Sequence, residues 1–173
     1  MARQPHRRRL ALVAALSLAV AAAFGTTASA DSDTAAMTAP LSGAEEVPAN
    51  DSLARGMAVF TLSDDGSSLD YSLSVANLHN LSQAHIHLAP RGSNGGVVAW
   101  LYPSGPPPQL IEGRTSGILM TGTITDANLV GALAGMTVAD LVNHINNGNA
   151  YVNVHTTQFP GGEIRGQIAA HGS

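Results

Sequence analysis

The sequence predicts an all-β domain of about eight strands with one short helix, arranged as a β-sandwich or a barrel. Three observations predict it. Short segments alternate apolar and polar residues with period two. Turn-forming clusters such as "DDGSS" and "TQFPGG" punctuate them. A single stretch, residues 137–147, carries helical spacing instead.

The elements follow in order. "MARQPHRRRL" supplies Arg3, Arg7, Arg8 and Arg9, the run "LALVAALSLAVAAAF" follows, and "GTTASA" places Ala28 and Ala30 in a small-x-small pattern. This predicts a secretory signal peptide over residues 1–30, cut after Ala30, and hence a secreted, extracellular protein. The apolar run falls short of the roughly 20 residues a membrane span needs, so no stable membrane insertion is expected after cleavage. "RRRLAL" bears a loose likeness to a twin-arginine signal and leaves the export route open. Residues 31–39, "DSDTAAMTA", read as a disordered linker, with the domain over 40–170.

In "GMAVFTLS", Ala58, Phe60 and Leu62 share one face. In "LDYSLSVANL", Leu69, Tyr71, Leu73 and Val75 share one face, with serines and Asp70 opposite, the pattern of a half-buried antiparallel strand. The two form a hairpin across Asp64–Ser68. "QAHIHLA" and "GVVAWLY" are further strands, joined by the turn "RGSNGG". Residues 102–116, "YPSGPPPQLIEGRTS", are expected to form a long loop, because consecutive prolines remove ladder donors. "GILMTGTIT", "YVNVHT" and "EIRGQIAA" complete the sheet, the last two joined by a turn in which Pro160-Gly161 suits type II. The helix over 137–147 has Val138, Leu141, Val142 and Ile145 on one side, a Thr137/Asp140 capping box and Gly148 as its stop.

Composition excludes several functions. Four of the 8 arginines lie in the signal and there is no lysine, so the exported chain has 4 basic against 12 acidic residues, a net of −8. No basic face for nucleic acid is expected; the expected partner is an extracellular protein or surface ligand. The absence of cysteine removes a thiol nucleophile and any thiolate metal site.

The chemistry concentrates on histidine. His85 and His87 sit at i and i+2 of a strand and so share a face, with Ile86 on the other. In "YVNVHT", Tyr151, Asn153 and His155 share one face, and Val152 and Val154 the other. His85, His87 and His155 are therefore the candidate metal ligands, with copper or zinc favoured by all-imidazole ligation. A polar cluster in which the histidines bond to Asn153 or Thr156 is the competing reading. His79, His144 and His171 are weaker candidates. Glu163 and Arg165 share a face and are expected to form an ion pair rather than a catalytic pair. Glu45 and Glu46 are adjacent and face opposite ways, which argues against a paired-carboxylate site.

The segments "LSGAEEVPA", "GMAVFTL", "LDYSLSVANL", "AHIHLAPRGSNGGVV", "GTITDANL" and "AYVNVHTTQFPGGEIRGQI" occur in an order that resembles the CHRD (chordin) domain, here as a single-domain member with a bacterial-style signal. The resemblance implies an immunoglobulin-like, Greek-key fold and does not itself deliver an activity. Chordin is an extracellular antagonist of bone morphogenetic proteins, and its other modules have no counterpart in this sequence. The histidine pattern is also similar to that of copper/zinc superoxide dismutases. By that analogy His85, His87 and His155 would ligate copper, although the chain lacks that family's zinc ligands and cysteines. Two functions are thus expected: an exported binding or structural module carrying a histidine-ligated metal ion, or a copper- or zinc-dependent metalloenzyme or metal-handling protein. No catalytic residue is assigned.

Overall fold

The computed structural model describes Met1 and residues 36–170, where the chain forms eight strands and one α-helix. They are β1 (Met37–Ser42), β2 (Arg55–Leu62), β3 (Ser68–Leu88), β4 (Gly96–Tyr102), β5 (Ile111–Thr125), α1 (Val138–Asn146), β6 (Ala150–Thr156), β7 (Ile164–Gln167) and β8 (Ala169–Ala170). The expected signal peptide, Met1 apart, and His171 lie outside the described residues.

All strand pairings are antiparallel. The order β2-β1-β7-β6-β3 closes on itself, because β3 also pairs with β2. Closure makes the expected all-β domain a barrel. β3 is long enough, at 21 residues, to serve both ends of the ring. Its first half lies between β2 and β5, and its second half between β6 and β4. The core fills the barrel with Phe60, Leu69, Leu73, Ile86, Val152, Val154 and Ile164, all fully buried. α1 lays Val138, Leu141 and Ile145 on that core, and its capping box forms as the sequence implies, with Thr137 N–H donating to Asp140 at 2.9 Å.

Four local expectations are corrected. The sheet begins at Met37, so the last three residues of the expected linker are strand. The segments "LDYSLSVANL" and "QAHIHLA" are one strand, not two, bent through Asn77 (φ 61°) and Asn80 (φ 52°). Asparagine tolerates this left-handed backbone better than most residues. Residues 111–116, expected as loop, belong to β5; residues 103–110 stay outside the strands, and Arg114 and Thr115 pair with His79 and Leu78. In the 159–162 turn, Gly162 N–H donates to Phe159 O at 3.0 Å, and the positive φ (132°) falls on Gly162 rather than Gly161. The turn is therefore not type II, which needs positive φ at its second central residue.

The inside and outside of the barrel wall can be tested by truncation. Ile86→Ala, at a fully buried site, is expected to cost about 2–5 kcal/mol. Ile118→Ala, 73% exposed on β5, is expected to stay within about 0.5 kcal/mol. Urea denaturation of both variants checks the pair; equal losses would show that β5 is packed rather than exposed.

Candidate metal centre

The bend in β3 decides where the histidines point. In its first half the odd residues Leu69, Tyr71, Leu73 and Val75 face inward. The spacing then stretches to three, through Leu78, Leu81 and Ala84, where the register shifts against β5 and β6. Beyond the bend the even residues Ala84 and Ile86 face the core. Without those extra residues the period-two rule would have put His85 and His87 inside the barrel. They instead lie on its outer face, where His85 pairs with Asn153 and Trp100, and His87 with Tyr151.

That outer face is not open to solvent. His85, His87 and His155 are 3%, 8% and 6% exposed. Loops roof them over. Asn94, in the turn after β3, donates from Nδ2 to Val47 O at 2.8 Å, tying that turn to the segment between β1 and β2. Arg91 and Glu45 join the same two segments by an exposed ion pair. Arg165, on β7, reaches across the face and donates to Ser93 O at 2.8 Å, Asn94 Oδ1 at 3.1 Å and Pro90 O at 3.4 Å. Gly95 must be glycine, since a Cβ there would fall 1.8 Å from Leu88 O.

Within this roofed layer the imidazoles are oriented by backbone carbonyls. His87 Nδ1 donates to Gly95 O at 3.0 Å, and His155 Nδ1 donates to Pro160 O at 3.0 Å. A carbonyl can only accept, so both Nδ1 atoms carry the proton and both Nε2 atoms keep their lone pairs. His155 Nε2 then accepts from His85 Nδ1 at 3.2 Å. The Nε2 atoms of His85 and His87 are buried and have no hydrogen-bond partner among the described residues. One nitrogen from each ring falls within 4.8 Å of the others. Two nitrogens bound to one ion at about 2.0–2.1 Å stand roughly 3.3 Å apart at the tetrahedral angle. The His85 Nδ1–His155 Nε2 contact, at 3.2 Å, is a hydrogen bond, and ligation by all three rings requires it to be given up. Aromatic neighbours fix the rings further: Trp100 meets His85 edge-on at 4.3 Å between centroids, and Tyr151 stacks on His87 at 5.0 Å and 11°.

The environment keeps all three rings neutral. Burial lowers His85 to about 3, reinforced by His155 and His87. Burial lowers His155 to about 4, against the opposing bond to Pro160 O. Burial also lowers His87, with the bond to Gly95 O opposing and the charge of Arg165 adding to the drop. Neutral imidazole is the form that ligates metal, so the site is prepared for a cation without proton competition at pH 7. Burial acts in the other sense on Glu46, raising it to about 7 despite the charge of Arg165 and the 3.4 Å bond from Asn153 Nδ2.

The structure thus brings together the three predicted ligands and sorts the remaining candidates. His79 is exposed and His144 half-buried on α1, away from the cluster. The competing polar-cluster reading named the wrong partners: the imidazoles bond to backbone carbonyls and to each other, not to Asn153 or Thr156. The expected Glu163–Arg165 ion pair does not form. Glu163 accepts from Ser52 Oγ and Thr156 Oγ1, both at 2.7 Å, and Arg165 turns to the loop carbonyls and to the Tyr151 ring, 3.5 Å away. Glu46 is buried and Glu45 half-buried. Sequence reasoning passed over Trp100, Gly95 and the carbonyl of Pro160. Backbone acceptors leave no signature in residue type.

The pKa shifts fix how stability should change with pH in the metal-free protein. An unfolded chain takes up protons on these histidines below about 6.5, while in the folded site His85 and His155 refuse them until about 3 and about 4, and His87 is lowered in the same direction. The unfolded state then binds more protons, so stability falls as pH drops below 6.5. Glu46 acts oppositely: its raised pKa stabilises at low pH and that contribution is lost as pH rises through about 7. Three groups outweigh one, so the urea midpoint is expected to fall between pH 7 and pH 5. A midpoint that rises instead would show that Glu46 governs the layer.

Residues 37–168 match the family model of the CHRD domain. Comparison with curated proteins gave no match, and comparison with solved structures gave none. The match spans the barrel from β1 to the end of β7, and it includes both histidine strands and the loops that roof them. The chain belongs to the CHRD domain family.

Proposed function

We propose that this chain is an exported binding or structural module whose CHRD domain holds a copper or zinc ion on His85, His87 and His155. One observation carries the reading: three neutral imidazoles offer nitrogens within 4.8 Å of one another, two of them oriented by carbonyl bonds to Nδ1. Burying histidines with unpartnered Nε2 atoms costs free energy, and a bound cation removes that cost. Export is supported by the signal-like sequence at residues 1–30, and the negative charge of the exported chain counts against a nucleic-acid partner. Among the described residues no helix is long and apolar enough to cross a membrane.

A copper- or zinc-dependent metalloenzyme, similar in its histidine set to superoxide dismutase, is the second reading. A cleft of about 430 Å³ favours it, lined by Glu46, Asn94, Pro160 and Gly162; of these, Asn94 belongs to the roof and Pro160 O accepts from His155. Substrate would have to pass that roof.

The untagged, metal-free protein is expected to take up one copper or zinc ion, and His85→Ala and His87→Ala each to weaken uptake by 100-fold or more, the scale of losing one of three ligands. Trp100 is the sole tryptophan and touches His85, so Cu(II) should quench its fluorescence where Zn(II) does not. Failure to bind either metal when supplied would end the metal reading. Activity in superoxide or oxidase assays would favour the enzyme, and silence with metal bound the module. N-terminal sequencing of protein recovered outside the cell should begin at Asp31.

A further inference from the structure

The site offers three neutral ligands and sits beside a buried cation. Among the described residues the metal-ligating cluster stops at the three histidines, with no carboxylate joining it. Arg165 is 2% exposed, and the hydrogen bonds its guanidinium makes go to neutral oxygens: Asn94 Oδ1, Ser93 O and Pro90 O. The guanidinium carbon lies 3.5 Å from the Tyr151 ring, which stacks on His87 at 5.0 Å, so charge and imidazole are within about 8.5 Å, the two legs end to end. The charge of Arg165 is felt at His87. The acids of the layer are not among the ligands, although Glu46 accepts from Asn153 and lies close enough to Arg165 to feel its charge. Glu163 is engaged by Ser52 and Thr156, and Glu46 is held near half-ionised at neutral pH.

We propose that the site selects monovalent copper over divalent zinc, through its three-nitrogen, carboxylate-free ligand set and the guanidinium of Arg165 behind Tyr151. The proposal rests on the metal-site reading above and names which ion that site takes. Zinc in proteins is almost always four-coordinate, and a catalytic zinc fills its fourth position with water. Here the ligands are buried, at 3%, 8% and 6% exposed. Cu(I), a closed-shell ion, is satisfied by three nitrogens in a plane. Charge adds to coordination: a guanidinium repels a divalent ion twice as strongly as a monovalent one. At this distance and an effective dielectric of about 20, the extra unit charge changes relative affinity by roughly 25-fold.

The test uses the untagged, metal-free protein, titrated anaerobically with Cu(I) and separately with Zn(II), each against a competing chelator at pH 8. Cu(I) is expected to bind with three nitrogen ligands by X-ray absorption, and zinc more weakly, with an added exogenous ligand. Arg165→Gln should move the Cu(I)-to-Zn(II) affinity ratio roughly 25-fold toward zinc. Arg165→Lys keeps the charge while losing the fork that clamps the loop, so it should leave the ratio near wild type even where both affinities drop. Glu46→Gln should move the ratio the other way, since it removes a negative charge. Zinc binding as tightly as Cu(I) in the wild type, or Arg165→Gln and Glu46→Gln moving both metals together, would overturn the proposal while leaving a metal site intact. Absence of binding by either ion would overturn the site itself.

Discussion

Strand β3 has to belong to both halves of the barrel, and most of the molecule follows from how it does so. Its first half pairs with β2 and β5, its second with β6 and β4, and the ring closes because one continuous strand meets neighbours at both ends. A strand cannot change neighbours along its length without bending, and β3 bends where Asn77 and Asn80 adopt left-handed backbone. The extra residues spent there invert which parity faces the core. Ile86 then fills the barrel, while His85 and His87 are exported to a second layer outside it. The same constraint that closes the fold therefore assembles the site.

That second layer is a buried polar environment built on a sheet surface, and its chemistry follows from burial. Removing imidazoles from water favours their neutral form, and backbone carbonyls from two different loops then choose which nitrogen keeps the proton. Gly95 and Pro160 are thus part of the site although neither offers a side chain to it. The loops are held in turn by side chains rooted in the barrel: Arg165 on β7 clamps the turn after β3, and Glu163, just before β7, gathers Ser52 and Thr156. The histidines, their carbonyl anchors and the clamps behind them form one hierarchy, in which each level removes freedom from the one before.

Much of this was legible in the sequence, and the rest was not for identifiable reasons. Period-two alternation read the inward faces of β2 and β6 and the shared face of His85 and His87, because a pleat has no alternative way to dispose neighbouring side chains. The helix was readable from its caps. What failed were inferences from shared face to shared partner: Glu163 and Arg165 do lie together on the sheet surface, but each found better-placed partners in the loops above it. The proline-rich stretch failed in extent, since prolines forbid a ladder only where they stand, and β5 begins three residues after Pro108. The roof could not be foreseen, because its key acceptors are backbone carbonyls and its geometry depends on tertiary approach, such as the space that Gly95 leaves for Leu88 O.

The pairing of β1 with β8 sets Met37 opposite Ala170. The barrel thus begins and ends on adjacent strands, which neighbour each other at about 4.8 Å. A domain whose two ends leave from one point can be spliced into a loop of a larger protein without prying the host apart, or strung in tandem from short connectors, and its own chain order can be permuted by joining those ends. The histidine layer is built by the middle of β3, by β6 and by loops remote from that junction. The barrel can therefore be treated as a cartridge, carried into different architectures with its site unchanged.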